Sequence, residues 1–271
     1  MTLLEAALLG IVQGLTEFLP ISSSGHLILA RNWLGLPAED SAAFVFDVLI
    51  QLGTWLAVLA YFRKDLLAIA TDMLASLRSR NASQPMLTNA RLGWLILLST
   101  LPAILVGWLI KDSMDRFSSL AYTGVFLIVN GLLLVAAEWL GKKQRQLSQL
   151  TAADALWIGV AQIFALLPAV SRSASTLFGG MLRHFDRRQA ARFAFLMSVP
   201  VMPAAGFVAL LQLGSLGSAA DLLLPLAVGF VAAALVGYAA IRWLLNYLAT
   251  HSFYPFAAYC AVLGILILLL Q

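Results

Sequence analysis

Residues 13–26 read Gln13-Gly14-Leu15-Thr16-Glu17-Phe18-Leu19-Pro20-Ile21-Ser22-Ser23-Ser24-Gly25-His26. An apolar run that begins at Leu3 is broken here by a proline, three serines and a glycine, and resumes as far as Leu36. Proline removes a backbone donor, and serine and glycine favour a turn, so a helix stops and restarts. Each half is short of the roughly 20 apolar residues that cross a bilayer. Non-helical backbone at membrane depth survives only where protein buries it or where it lines a wet cavity. The stretch therefore predicts a re-entrant helical hairpin. A second region, from about Asp154 to Leu182, is broken in the same way at Pro168-Ala169-Val170-Ser171-Arg172-Ser173.

The surrounding chain says what these hairpins sit in. Of 271 residues, 61% are hydrophobic and 11% charged, against about 25% charged in soluble domains. Six segments are long and apolar enough to span: Ala42–Phe62, Leu92–Ile110, Leu120–Leu140, Ala190–Leu213, Leu222–Leu245 and Tyr254–Leu270. The expectation is an all-α integral membrane protein, one membrane domain over residues 1–271, with six transmembrane helices and two re-entrant hairpins. The net charge of +4 fits basic cytoplasmic loops. No Lys/Arg run is interleaved with aromatics, so nucleic acid is not an expected partner. The single Cys260 excludes an internal disulfide and a cysteine metal cluster, and is expected to serve packing. The N-terminal MTLLEAALLGIVQ lacks a basic leader and a cleavage site and reads as mature sequence.

The two broken regions repeat each other. Gly10-Ile11-Val12-Gln13 matches Gly159-Val160-Ala161-Gln162, Pro20 matches Pro168, and Phe46 to Leu49 matches Phe193 to Leu196. Repeats of about 1–140 and 150–271 follow. If each hairpin leaves on the side it enters, thirteen Lys/Arg fall on one face, in 63–91, 142–145, 183–192 and at Arg242. Three, Arg31, Lys111 and Arg116, fall on the other. The positive-inside rule makes the richer face cytoplasmic. Both termini are then outside, the two halves are inverted, and a site is expected near the midplane where the broken helices meet. Two full spans in place of a hairpin give the same parity.

Few ionisable residues lie within the apolar regions: chiefly Glu17, His26, Asp47 and Arg172. Charges there are expensive and mark function by default. Gln13 and Glu17, four apart, share a helix face. A carboxylate so placed can hold a divalent cation or act as a base; a structural ion pair with Arg172 is the competing explanation. Ser22, Ser23 and Ser24 with freed backbone N–H groups at a helix start form an anion cradle; a plain N-cap serine run competes. His26 can accept a serine proton, protonate a leaving group or attack phosphorus itself. Arg172 suits bidentate phosphate binding, with Ser171, Ser173 and Thr176 beside it. Asp47 and Gln51 share a helix face and either line the same cavity or pack between helices. Glu138 and Trp139 read as interface residues. His184, Asp186, Arg187 and Arg188 read as a solvated loop, and Trp33, Trp108, Trp139, Trp157 and Trp243 as an aromatic belt.

These motifs, from Gln13 to His26 and from Pro168 to Thr176, resemble the two signatures of the undecaprenyl pyrophosphate phosphatases of the bacitracin-resistance type, the second written PGxSRSxxT. The segments Phe46–Gly53 and Ala190–Pro200 also resemble family sequence. Gln13 takes the amide alternative at the first acidic position, which leaves the carboxylate role to Glu17. Ala169 stands where the family has glycine, and alanine is disfavoured at positive φ.

The resemblance implies hydrolysis of undecaprenyl pyrophosphate to undecaprenyl phosphate and inorganic phosphate. It implies Mg2+ or Ca2+ as cofactor and a bacterial inner-membrane location, with the site facing the periplasm and membrane lipid as partner. Arg172, Ser171, Ser173 and Thr176 are then expected to hold phosphate oxygens, and Glu17 the metal or the nucleophile. Ser23 is the expected nucleophile with His26 as its base and later acid; a phospho-His26 intermediate and a metal-activated water remain alternatives. The oligomeric state is open, a homodimer being compatible with the sequence. The rival class is a transporter or flippase of a lipid phosphate, since inverted repeats with broken helices are common there.

Overall fold

The computed structural model describes residues 1–37, 41–78, 84–110, 119–215 and 219–270. Arg80, Lys111 and Arg116, which enter the charge count above, lie outside them. Among the described residues every helix or strand element is helical, apart from one isolated bridge between Arg145 and Phe185. The first half comprises α1 (Leu3–Phe18), α2 (Ser23–Trp33), α3 (Ser41–Tyr61), α4 (Arg63–Arg78), α5 (Gln84–Ile110) and α6 (Leu120–Leu140). The second comprises α7 (Ala152–Ala161), a 3-10 stretch (Gln162–Leu166), α8 (Arg172–Leu182), α9 (Arg187–Ser215), α10 (Ala219–Tyr247) and α11 (Tyr254–Leu269).

Helices α3, α5, α6, α9 and α10 hold stretches long and apolar enough to cross a membrane. The sixth expected span is α11, whose 16 residues reach only about 24 Å at 1.5 Å per residue, under the roughly 30 Å of a hydrocarbon core. The 63–91 stretch, expected as a loop, contains α4, which packs on α5. Large apolar side chains face outward along the spans, among them Leu105, Leu132 and Leu235, as lipid-facing helices require. Trp33, Trp108 and Trp139 are among the most exposed residues, consistent with an interfacial belt.

The two hairpins, α1 with α2 and α7 with α8, start from the same device. Thr2 and Glu5 form a reciprocal capping box at α1, and Thr151 and Asp154 form another at α7. Each box satisfies two orphan N–H groups of a helix start. Ser22 and Ser171 then cap the two return helices, accepting from Gly25 N–H and Ala174 N–H. All three pairs share an offset of 149 residues.

Packing crosses between the halves. The first hairpin lays α1 on α10, and the second lays α7 on α5. Gly10 and Gly159, again 149 apart, let the backbones touch. A Cβ at Gly10 would collide with the Gly229 carbonyl, and one at Gly159 with the Ser99 carbonyl. The last helices of the halves, α6 and α11, pack on each other.

Two expectations for the chain's charged edge are corrected. Glu138 is buried, not interfacial, and Arg187 is its partner rather than a solvated loop residue. The Glu138 carboxylate accepts two hydrogen bonds from Arg187, at 2.6 and 2.7 Å, and one from Phe253 N–H at 2.8 Å. Lys143 Nζ lies 2.8 Å away. At the base of the second hairpin Asp154 accepts from Arg145 at 2.7 Å and from Arg183 and Thr151. Burial pushes the Asp154 carboxyl up, but these bonds override it and hold it well below the usual carboxylate range.

Breaking one member of a buried ion network leaves its partners uncompensated, at a cost of about 3 kcal/mol. Glu138→Ala is therefore expected to lower the thermal unfolding midpoint in detergent clearly, and Glu138→Gln less so. An unchanged midpoint in Glu138→Ala would refute this role.

Candidate active site

Glu17 sits on the last turn of α1 and is buried. Donors from four elements reach its carboxylate. Gln13 Nε2, one turn earlier on α1, donates at 2.9 Å, and Ser23 Oγ at the start of α2 at 2.8 Å, both to Oε2. Arg172 Nη2, at the start of α8, donates to Oε1 at 2.6 Å. Gln51 Nε2 on α3 completes the set at 3.4 Å from Oε1. Residues from both broken regions thus meet at one carboxylate. The other terminal nitrogen of Arg172, Nη1, is buried and finds no acceptor among the described residues.

The turns that deliver these side chains are strained. Ser22 has φ +75° and Ala169 φ +59°. Both lie in the left-handed region that non-glycine residues avoid, at about 1–2 kcal/mol each, and such strain collects at functional sites. Ala169, where the family pattern has glycine, is therefore in the conformation that the pattern demands. Its methyl is fully buried and packs with Phe126 and Val170.

The turns are held by Asn130, a residue that the sequence reading missed. Asn130 is fully buried on α6. Its Nδ2 donates to Pro20 O at 2.7 Å, and its Oδ1 accepts from Ser171 N–H at 3.1 Å. One carboxamide therefore clasps the breaks of both hairpins. An uncharged residue escapes a search for ionisable groups, although a lone asparagine in the apolar 120–140 segment is itself a signal. Ser173 Oγ adds a stitch between the hairpins, donating to Leu19 O at 3.1 Å, with Ser171 Oγ 2.8 Å from Ser173 Oγ.

Other expected site residues lie differently. His26 does not meet Ser23. Its Nδ1 is 2.6 Å from Ser22 O and its Nε2 2.8 Å from Tyr259 Oη. A carbonyl can only accept, so Nδ1 carries a proton, and in the neutral ring Nε2 is then the acceptor for the tyrosine hydroxyl. Asp47 faces Arg31, whose Nη2 is 2.6 Å from its carboxylate. It sits one turn along α3 from Gln51 and does not reach Glu17. Thr176 Oγ1 is turned back onto its own helix, donating to Arg172 O at 2.8 Å. Ser22 and Ser171 serve as helix caps, while Ser24 is exposed beside the cavity.

That cavity has a volume of about 290 Å³. Glu17, Ser23, Ser24, Gln51, Ser171 and Arg172 line it together with Gln162. Ile104, Leu166 and Val201 supply an apolar wall, and Ile104 is 54% exposed on the outer surface of α5. A polar end and an apolar wall that opens outward suit an amphiphile with an anionic head. No group of three or more His, Cys, Asp and Glu that could hold a metal is found among the described residues. The oxygens present, one carboxylate and several carboxamides, fit a hard cation that shares its ligand shell with phosphate, as Mg2+ commonly does.

The model of the family described as bacitracin resistance protein BacA matches residues 6–266. A Rubrobacter xylanophilus protein named undecaprenyl-diphosphatase is 44% identical over 267 residues, covering 98% of this chain and 97% of its own length. A Thermobifida fusca protein of the same name is 41% identical over 274 residues, covering 100% and 90%. One from Anaeromyxobacter sp. strain K is 44% identical over 266 residues, covering 97% and 90%.

Asn130→Leu removes the clasp, strands Ser171 N–H at a cost of about 1–3 kcal/mol, and leaves Pro20 O only the long contact from Cys260 Sγ at 3.9 Å. The expected outcome is a lower unfolding midpoint together with loss of whatever activity Glu17 and Arg172 support. Full activity in this variant would show that the turns hold themselves.

Proposed function

The chain belongs to the bacitracin resistance protein BacA family, and from that membership we infer that it hydrolyses undecaprenyl pyrophosphate to undecaprenyl phosphate and inorganic phosphate. The observation that carries this reading is the Glu17 carboxylate, which holds a serine hydroxyl and a guanidinium side by side in a cavity with an apolar wall. The diphosphate lies against Arg172 and the start of α2, and the polyprenyl chain follows the apolar wall past Ile104 into lipid.

Arg172 grips phosphate oxygens, using Nη1 first, since it has no acceptor of its own. Ser23 Oγ attacks the distal phosphorus and its proton passes to Glu17, 2.8 Å away. The bond from that phosphorus to the bridging oxygen breaks, and undecaprenyl phosphate leaves with the proton. Water then attacks the phosphoserine, Glu17 takes a proton from it, and Ser23 Oγ recovers one as inorganic phosphate departs. Glu17 thus takes the base role expected of His26, which fixes the turn through Ser22 O. Gln13 and Gln51 orient the carboxylate. Glu17, Gln13 and the substrate's own phosphate oxygens would hold Mg2+ or Ca2+, which supplies charge neutralisation when bound.

The chain lies in the bacterial inner membrane as an inverted repeat, with two re-entrant hairpins, both termini outside and the site open to the periplasm. The 149-residue offset of the hairpin caps supports the repeat. The basic loops at 142–145 and 183–192 support a cytoplasmic location for the opposite end. Regeneration of the carrier lipid at the outer face would also confer resistance to bacitracin.

Purified protein in detergent is expected to release phosphate from undecaprenyl pyrophosphate. Glu17→Gln is expected to lower kcat/KM about 10²- to 10⁴-fold, the usual weight of a positioned base. Trapped phosphoenzyme is expected on Ser23; label on His26 would overturn the Ser23 step, and no release by the wild-type chain would favour lipid-phosphate transport. For orientation, in a Cys260→Ala background, an impermeant thiol reagent added to intact cells should label Trp33→Cys and spare Arg188→Cys. The reverse pattern would invert the topology.

A further inference from the structure

Gln162 is the repeat counterpart of Gln13, 149 residues on. Gln13 finds its partner four residues later, in Glu17. Four residues after Gln162 stands Leu166, which offers nothing. Gln162 is nevertheless 4% exposed, and its Oε1 is buried without a donor among the described residues. The helix also changes type here, as α7 ends at Ala161 and a 3-10 stretch runs from Gln162 to Leu166, a common way for an α-helix to end. Both Gln162 and Leu166 line the cavity that Glu17 and Arg172 share.

A buried carboxamide with an unmet oxygen costs stability, and native proteins keep few of them. Packing alone would be served better by leucine, a residue of similar size. We propose that Gln162 is a substrate-binding residue, whose carboxamide engages the diphosphate head and the water held against it. Its N–H donates to a phosphate oxygen and its Oε1 accepts from the water or from a protonated phosphate oxygen. The two glutamines of the repeat have thereby diverged. Gln13 orients the catalytic carboxylate, and Gln162 faces the substrate. This assignment rests on the diphosphatase reading above.

The test compares wild type, Gln162→Leu and Arg172→Ala in detergent. It measures binding of a non-hydrolysable polyprenyl methylenediphosphonate, KM and kcat for the diphosphate, and the unfolding midpoint without ligand. Gln162→Leu is expected to bind the analogue about tenfold more weakly and to raise KM to match, the size of one hydrogen bond to a charged group. Its ligand-free midpoint is expected to stay level or rise. Unchanged affinity and KM would overturn the proposal, as would a fall in the midpoint without loss of affinity, which marks a packing residue. If the wild type neither binds the analogue nor hydrolyses the diphosphate, the diphosphatase reading itself fails and takes this one with it. If wild type binds, Arg172→Ala does not, and Gln162→Leu matches wild type, only the present assignment falls.

Discussion

The ion pair between Glu17 and Arg172 is the contact on which the rest of the molecule is arranged. Either charge alone at membrane depth costs about 2.5–3.5 kcal/mol even on permissive scales. Held 2.6 Å apart, with Gln13, Ser23 and Gln51 around the carboxylate, each is compensated. The pair also joins α1 of one half to α8 of the other, so the same bond that makes the charges tolerable brings the two breaks together. A membrane interior offers no hydrophobic drive for helices to associate, and polar contacts and close packing must do it instead. Here the polar contacts that join the halves are also those of the candidate site.

Such a site needs a rigid frame, because its reactive groups stand on two turns rather than on regular helix. Asn130 supplies part of that frame by satisfying a carbonyl in one turn and an N–H in the other. The capping serines supply another part, and the positive φ of Ser22 and Ala169 shows how tightly the turns are drawn. Further out, Glu138 and Asp154 anchor α6, α7, α8 and α9 through buried ion networks. The cavity is thus rigid at its polar end and open along an apolar wall, a division that matches a substrate with a charged head and a long, fluid tail.

Much of this was legible in the sequence. The broken apolar runs, the four-residue spacing of Gln13 and Glu17, and the paired serine turns pointed to both hairpins and to residues that converge at Glu17. The misses have common physical origins. Asn130 carries no charge, so a search for ionisable residues passed over it. Glu138 lies two residues from the end of its helix, where interface residues belong, and its partner Arg187 is 49 positions away, beyond the reach of local pattern. His26 shares a helix with Ser23, yet a backbone carbonyl and Tyr259 from the far end of the chain capture its ring. Asp47 is one turn from Gln51, and that one turn decides between Arg31 and Glu17. Helix α4 escaped because its apolar positions are interleaved with charge.

The exchanged packing of the hairpins bears on how the protein is made. The first hairpin leaves the ribosome early, carrying Glu17 and a polar turn, but the surface that Gly10 fits is on α10. At about 10 residues per second, α10 follows roughly 20 seconds later. Arg172 arrives only shortly before it. For that interval the first hairpin has α3 and α6 beside it but lacks its largest packing surface, and its carboxylate lacks Arg172 as counter-ion. The contacts that close the site therefore form only after the second half is synthesised, so the site is completed late in the making of the chain.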